Sequence, residues 1–247
     1  MRAASGIDHQ CQVPAGSAML KEFDQEIWIA DGPSVAVAGF HYPTRMAVIR
    51  LSNGGLFIWS PTQLTASLQA DVDGVGQVRH IVAPNSLHHL FLPAWKRAYP
   101  AAQVYAPPGL RRKRQDIVFD ADLGRAPSPD WAGEIDQVVM QGNLITTEVV
   151  FFHVRSGTVL FADLIQQLPV NSISGWRSVV AKLDLMTEHE PSVPRKFRFA
   201  FVNRRVARDS LEHILAWPAE RVLMAHGTPI ENNARAYLRR AFGWLTL

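Results

Sequence analysis

Three short apolar runs, each delivering a side chain able to hold a metal, constrain this chain more than any other feature of its sequence. His80-Ile81-Val82-Ala83 reads as the end of a buried strand, broken by Pro84, Asn85 and Ser86 just before the pair His88-His89. Thr158-Val159-Leu160-Phe161-Ala162 reads as a strand that delivers Asp163, and Arg221-Val222-Leu223-Met224-Ala225 as one that delivers His226. Beyond the histidine pair, Leu87, Leu90, Phe91, Ala94, Trp95 and Ala98 recur at helical spacing. Inside a regular helix neighbouring side chains point about 100° apart and cannot share a ligand, but at a strand-to-helix turn they can converge. Two adjacent histidines alone more often serve as a helix cap and an exposed side chain. Three strand ends carrying imidazole or carboxylate along one sheet edge are what an α/β scaffold uses to build a site.

Composition bounds the reading. At 247 residues, with 47% apolar and 19% charged side chains, the chain can bury a substantial core and does not read as disordered. A formal charge of +3 without one long basic block leaves no nucleic-acid footprint, so no nucleic-acid partner is expected. Cys11 is the single cysteine, which excludes an intramolecular disulfide and a multi-cysteine zinc site. No apolar run is long enough to span a bilayer and the N-terminus lacks a secretion signal's apolar core, so no membrane partner and a cytoplasmic location are expected.

Residues 1–20 show no periodicity and read as a flexible tail; residues 21–247 read as one domain with no linker dividing it. Glu26 to Ala30 alternates like a strand, with Asp31-Gly32-Pro33 turning the chain. Met46 to Leu51 and Leu56 to Ser60 are two strands joined at Asn53-Gly54, a hairpin signal. Thr147 to Val154 and Thr158 to Ala162 repeat that strand-turn-strand logic, so the domain is expected to have two similar halves. Trp176 to Met186 reads as a helix, Asp209-Ser210-Leu211-Glu212 as a capped helix start, and Ile230 to Leu245 as a terminal helix. Arg111-Arg112-Lys113-Arg114 is the one basic cluster, ordinarily a solvated loop and alternatively a lip for phosphate or acid groups. Arg198 and Arg204, beside the apolar run Phe199 to Val202, are candidates to clamp an anionic substrate.

The phrases Tyr42-Pro43-Thr44-Arg45-Met46, Trp59-Ser60-Pro61, His88-His89, Ala106-Pro107-Pro108-Gly109-Leu110 and Ala225-His226-Gly227 resemble the metallo-β-lactamase superfamily, and more closely an uncharacterised branch of it, a domain family of unknown function. The resemblance covers roughly residues 20–247 and implies a four-layered αβ/βα sandwich with a metal site at the sheet edges between the halves. Laid over this chain, the superfamily's His-x-His-x-Asp-His motif falls on Pro84, Ser86, His88 and His89. Its Gly-His falls near Gly142-Asn143, its strand-end Asp on Asp163, and its last His on His226. All three histidines of the first metal position are therefore missing, and Trp59 places a bulky ring near that lost position. The second position retains a ligand-capable residue throughout: His88, His89, Asp163 and His226.

The resemblance thus implies one divalent metal, zinc or iron, held by His88, His89, Asp163 and His226, with His88 the weakest ligand. Four protein ligands would close a tetrahedral zinc site, and no residue stands out as a general base. The implied activity is single-metal hydrolysis of a small, anionic, ester-type substrate. The alternative is a non-catalytic protein of the same fold that binds a ligand or partner through the old cleft.

Overall fold

The computed structural model describes residues 11–12, 19–169, 173 and 175–246. Most of the expected N-terminal tail lies outside these residues. Cys11–Gln12, which does not, forms a short strand.

Eight strands make the first sheet: β1 (Cys11–Gln12), β2 (Lys21–Asp24), β3 (Ile27–Val37), β4 (Phe40–Arg50), β5 (Gly55–Trp59), β6 (Gln77–Val82), β7 (Gln103–Ala106) and β8 (Ala121–Asp122). Their order is β1-β3-β4-β5-β6-β7-β8, with β2 also paired to β3. The second sheet has four, β9 (Ile135–Met140), β10 (Glu148–His153), β11 (Thr158–Phe161) and β12 (Arg221–Met224), in the order β12-β11-β10-β9. Each half is an antiparallel meander that continues into parallel strands: β3-β4-β5 into β6, and β9-β10-β11 into β12. The two similar halves read from the sequence are therefore present. So is the expected hairpin at Asn53-Gly54, between β4 and β5.

Alternation along the strands explains the layers. In β5, Leu56 and Ile58 face outward into a core with Leu68 and Val72 of helix α1 (Ala66–Val75) and Leu92 and Trp95 of helix α2 (Leu92–Ala98). Phe57 and Trp59 face the other way, meeting Val149, Phe151, Leu160 and Leu223 from the second sheet. On the far side, Val150, Phe152, Phe161 and Met224 pack on Leu211 and Ile214 of α6 (Arg204–Ala216) and on Tyr237 and Leu238 of α7 (Ala234–Ala241). The result is helix, sheet, sheet, helix, as the sandwich reading requires. The remaining helices are α3 (Leu110–Lys113), α4 (Trp176–Leu183), α5 (Arg195–Ala200) and α8 (Gly243–Thr246).

Several local readings are corrected. Asp31-Gly32-Pro33 does not turn the chain: β3 runs through it, with a register shift between Gly32 and Val35. A bulge there suits Pro33, which has no N–H to give the ladder. Helix α6 starts at Arg204, where the Asn203 side chain accepts from the Val206 amide at 3.3 Å, so Asp209 lies inside the helix. Of the apolar run Phe199 to Val202, Phe199 and Ala200 close helix α5. The terminal helix is interrupted at Phe242, giving α7 and α8. Among the described residues no helix is long and apolar enough to cross a membrane.

Candidate metal centre

Parallel strands carry their C-terminal ends to a common sheet edge, and that is where the candidate residues gather. Val82 ends β6 six residues before His88, Phe161 ends β11 just before Asp163, and Met224 ends β12 just before His226. The Val149 amide donates to the Pro84 carbonyl at 2.8 Å, tying the second sheet to the turn that carries His88.

One donor atom from each of His88, Asp163 and His226 lies within 4.8 Å of the others, the one such group among the described residues. Nε2 of His88 is 3.1 Å from Oδ2 of Asp163, and Nε2 of His226 is 3.5 Å from Oδ1. The imidazole rings stand 5.2 Å apart. Donors about 2.0–2.1 Å from a tetrahedral zinc are separated by roughly 3.3 Å, close to each of the two imidazole–carboxylate spacings.

The surroundings fix which nitrogen each histidine presents. Nδ1 of His226 lies 2.5 Å from the Pro43 carbonyl, which can only accept, so Nδ1 carries the proton. Nδ1 of His88 is 2.8 Å from Oγ of Ser60, whose hydroxyl donates to the Arg45 carbonyl at 3.2 Å. With its proton on that carbonyl, the hydroxyl can accept from His88 Nδ1. In both histidines Nε2 is thereby the nitrogen turned toward Asp163, the one a metal ligand would use. Ser60 holds this place with a left-handed backbone, φ 51°, uncommon for a residue other than glycine.

Asp163 is held as firmly. Oδ2 accepts from the Asn85 side-chain amide and Oδ1 from that of Gln166, each at 2.8 Å. Each carboxylate oxygen thus spends one lone-pair direction on an amide and keeps one toward an imidazole. Burial pushes the Asp163 carboxyl up, but the His88 and His226 imidazoles outweigh it and hold the group well below the usual range. Below it sits Glu148, fully buried at the start of β10, accepting from the amides of Ala162, Asp163 and Leu164 and from Asn85. Burial first, and the Asp163 charge second, raise its carboxyl to about 7. A lone Glu at the head of a strand otherwise apolar to Phe152 was the available sequence signal for it.

His89 is the exception among the sequence-derived ligands. Its Nδ1 accepts from Nη1 of Arg114 at 2.6 Å, and it is not part of the three-residue group. Of the four expected ligands the structure brings three together, and His88, not His89, faces Asp163. The reason is the turn: successive side chains diverge there, and the guanidinium at the end of α3 takes the second one. The positions of the lost first site are otherwise engaged. Pro84 gives its carbonyl to Val149, and Ser86 gives its carbonyl to Nζ of Lys113 at 2.8 Å. Asn143 caps its own loop through Ile145 and Thr146 and donates to the Phe197 carbonyl. Trp59 is fully buried between the sheets.

The candidate anion clamp has other partners. Nε of Arg198 donates to the Val193 carbonyl at 2.8 Å and its guanidinium lies over Trp244, while Arg204 is exposed at the head of α6. Lys113, by contrast, stands beside the centre: burial lowers its ammonium, Arg114 adds to this, and attraction to Asp163 opposes it. The Tyr42-Pro43-Thr44-Arg45 phrase proves to be the cradle of His226. Tyr42 meets its ring edge-on at 5.5 Å, and Nη1 of Arg45 donates to the Gly227 carbonyl at 2.5 Å.

Residues 22–181 match the family described as Domain of unknown function (DUF4336). The chain belongs to that family. The DUF4336 match includes His88 and Asp163 but ends before His226. No curated protein matches the sequence. Solved structures similar to this one include the DIM-1 metallo-β-lactamase exposed to ceftazidime, with 16% identity, a TM-score of 0.65, and 95% of this chain and 98% of that one covered. A metallo-β-lactamase from Pontibacter korlensis has 11% identity and a TM-score of 0.63, covering 93% and 99%. FIM-1 from Pseudomonas aeruginosa in its mono-zinc form has 11% identity and a TM-score of 0.62, covering 92% of each chain. This DUF4336 protein has the metallo-β-lactamase fold.

Proposed function

We propose that this protein is a single-metal hydrolase acting on a small anionic ester, with His88, Asp163 and His226 as its metal ligands. The observation that carries the reading is the paired orientation of the histidines. The Ser60 hydroxyl and the Pro43 carbonyl engage the two Nδ1 atoms, which leaves both Nε2 atoms aimed at one carboxylate. Two imidazoles and a carboxylate suit zinc, and equally ferrous iron. Three protein ligands leave a coordination position for substrate or water, which is the mark of a catalytic site, where four would close it.

A divalent ion held by His88, Asp163 and His226 would supply Lewis acidity there. The chain's own residues supply orientation. Asn85 and Gln166 fix the carboxylate plane, Ser60 and Pro43 fix the imidazole tautomers, and Glu148 pins the backbone that carries Asp163. Lys113 is a cation placed to attract a negatively charged substrate, a role the sequence suggested for Arg198 and Arg204.

The test is turnover by protein loaded with one equivalent of zinc or iron, across carboxylic, phosphate and thioester substrates. Metal-dependent hydrolysis that vanishes in Asp163→Ala, with a raised KM in Lys113→Ala, is expected. Stoichiometric metal without turnover on any of these esters would favour the non-catalytic binding protein instead.

A further inference from the structure

Helix α4 is turned inside out. Trp176, Val179, Val180 and Leu183 stand at the i, i+3, i+4, i+7 spacing that ordinarily faces a core, yet they are 65%, 58%, 40% and 60% exposed. The buried residue of the helix is Ala181, packed with Leu168 and Met186. The stripe does not stand alone. Arg177 on the same helix lies against Gly39, in the turn of the β3–β4 hairpin, where Val37 is also exposed. Past α4, Phe199 and Val202 are exposed beside Leu144, whose amide donates to the Ala200 carbonyl. An apolar face of this kind on a folded domain marks something that covers it.

Charge says what. Residues 176–205 hold seven Lys or Arg against three Asp or Glu, while the whole chain nets only +3. Asp184 pairs with Lys196 of the same segment and Glu190 with Arg240 outside it, so six cations face one acid. Lys182, Arg195, Arg204 and Arg205 are exposed in the same segment. A tryptophan, aliphatic side chains and a rim of cations are what an anionic bilayer surface accepts: apolar groups enter the acyl boundary and cations meet the headgroups. A second copy of this chain fits poorly, because a two-fold contact would set the same basic rim against itself.

We propose that α4 and the segment leading into α6 form an interfacial docking face for an anionic lipid surface. The sequence led to an expectation of no membrane partner because no run spans a bilayer, and surface binding needs no such run. The face adjoins the metal centre's wall: Tyr42, which meets His226 edge-on, also packs with Ala181 and Met186 and bonds to Lys196. The proposal stands independently of whether a metal is bound.

Flotation of the full chain with vesicles tests it. Protein should float with phosphatidylcholine vesicles containing phosphatidylglycerol, float poorly with pure phosphatidylcholine, and lose binding as salt rises. Trp176→Ser/Leu183→Ser should weaken partitioning at least about tenfold, and Lys182→Glu/Arg195→Glu should abolish the preference for phosphatidylglycerol. All four side chains are exposed, so both variants should melt like the wild type. Absence of wild-type flotation with the anionic vesicles would overturn the proposal. So would equal flotation of both variants, or a dimer that the Trp176→Ser/Leu183→Ser change makes monomeric.

Discussion

Nε2 of His88 stands 3.1 Å from Oδ2 of Asp163, joining the turn after β6 in the first sheet to the end of β11 in the second. His88 presents Nε2 there while its Nδ1 meets the Ser60 hydroxyl at 2.8 Å. Ser60→Ala removes the acceptor of the Nδ1 proton while leaving the ligand in place. Metal affinity should fall about 10–100-fold, measured by competition with a chromophoric chelator. An unchanged affinity would mean the tautomer argument is wrong.

Glu148 should matter to stability more than to affinity. Its carboxylate satisfies the Ala162, Asp163 and Leu164 amides in a fully buried position. Glu148→Ala orphans all three and should cost about 3–5 kcal/mol in urea unfolding, with Glu148→Gln costing less because one acceptor remains. A Glu148→Ala protein with the wild-type midpoint would show that these bonds contribute nothing net.

Acid sensitivity should trace in part to His153. Burial first, and then the Arg155 charge, depress this imidazole to about 4, and its Nδ1 pairs with Oγ of Ser156 at 2.8 Å. The unfolded chain takes up that proton near 6.5, so stability is full above this pH and is lost as pH falls toward 4. The span amounts to about 3 kcal/mol, and burial of His80 adds a loss of the same sign. His153→Gln should flatten the fall of unfolding free energy between pH 6.5 and pH 4; an unaltered slope in that variant would contradict the assignment.

Strand ends were more legible in the sequence than the turns beyond them. Asp163 and His226 sit directly after short, continuously apolar runs, so their position at the sheet edge was readable. His88 and His89 lie past a turn, and which of the two points inward depends on Arg114, a partner no local pattern reveals. Turn residues misled at Asp31-Gly32-Pro33 because a bulge absorbed them. Asp209 and Glu212 have the spacing of a capping box but lie inside α6, where packing of Leu211 and Ile214 on the second sheet outweighs local preference. Asn85 was read only as a turn residue and Gln166 not at all. A buried amide gives no periodic signal, and its role exists only once Asp163 is beside it.

Counting metal is the most direct test of the centre. Elemental analysis of protein expressed with added zinc or iron should find one ion per chain in the wild type and in His89→Ala, and none in His88→Ala, Asp163→Ala or His226→Ala. Two ions per chain would contradict the account, as would metal retained in Asp163→Ala or lost in His89→Ala but kept in His88→Ala.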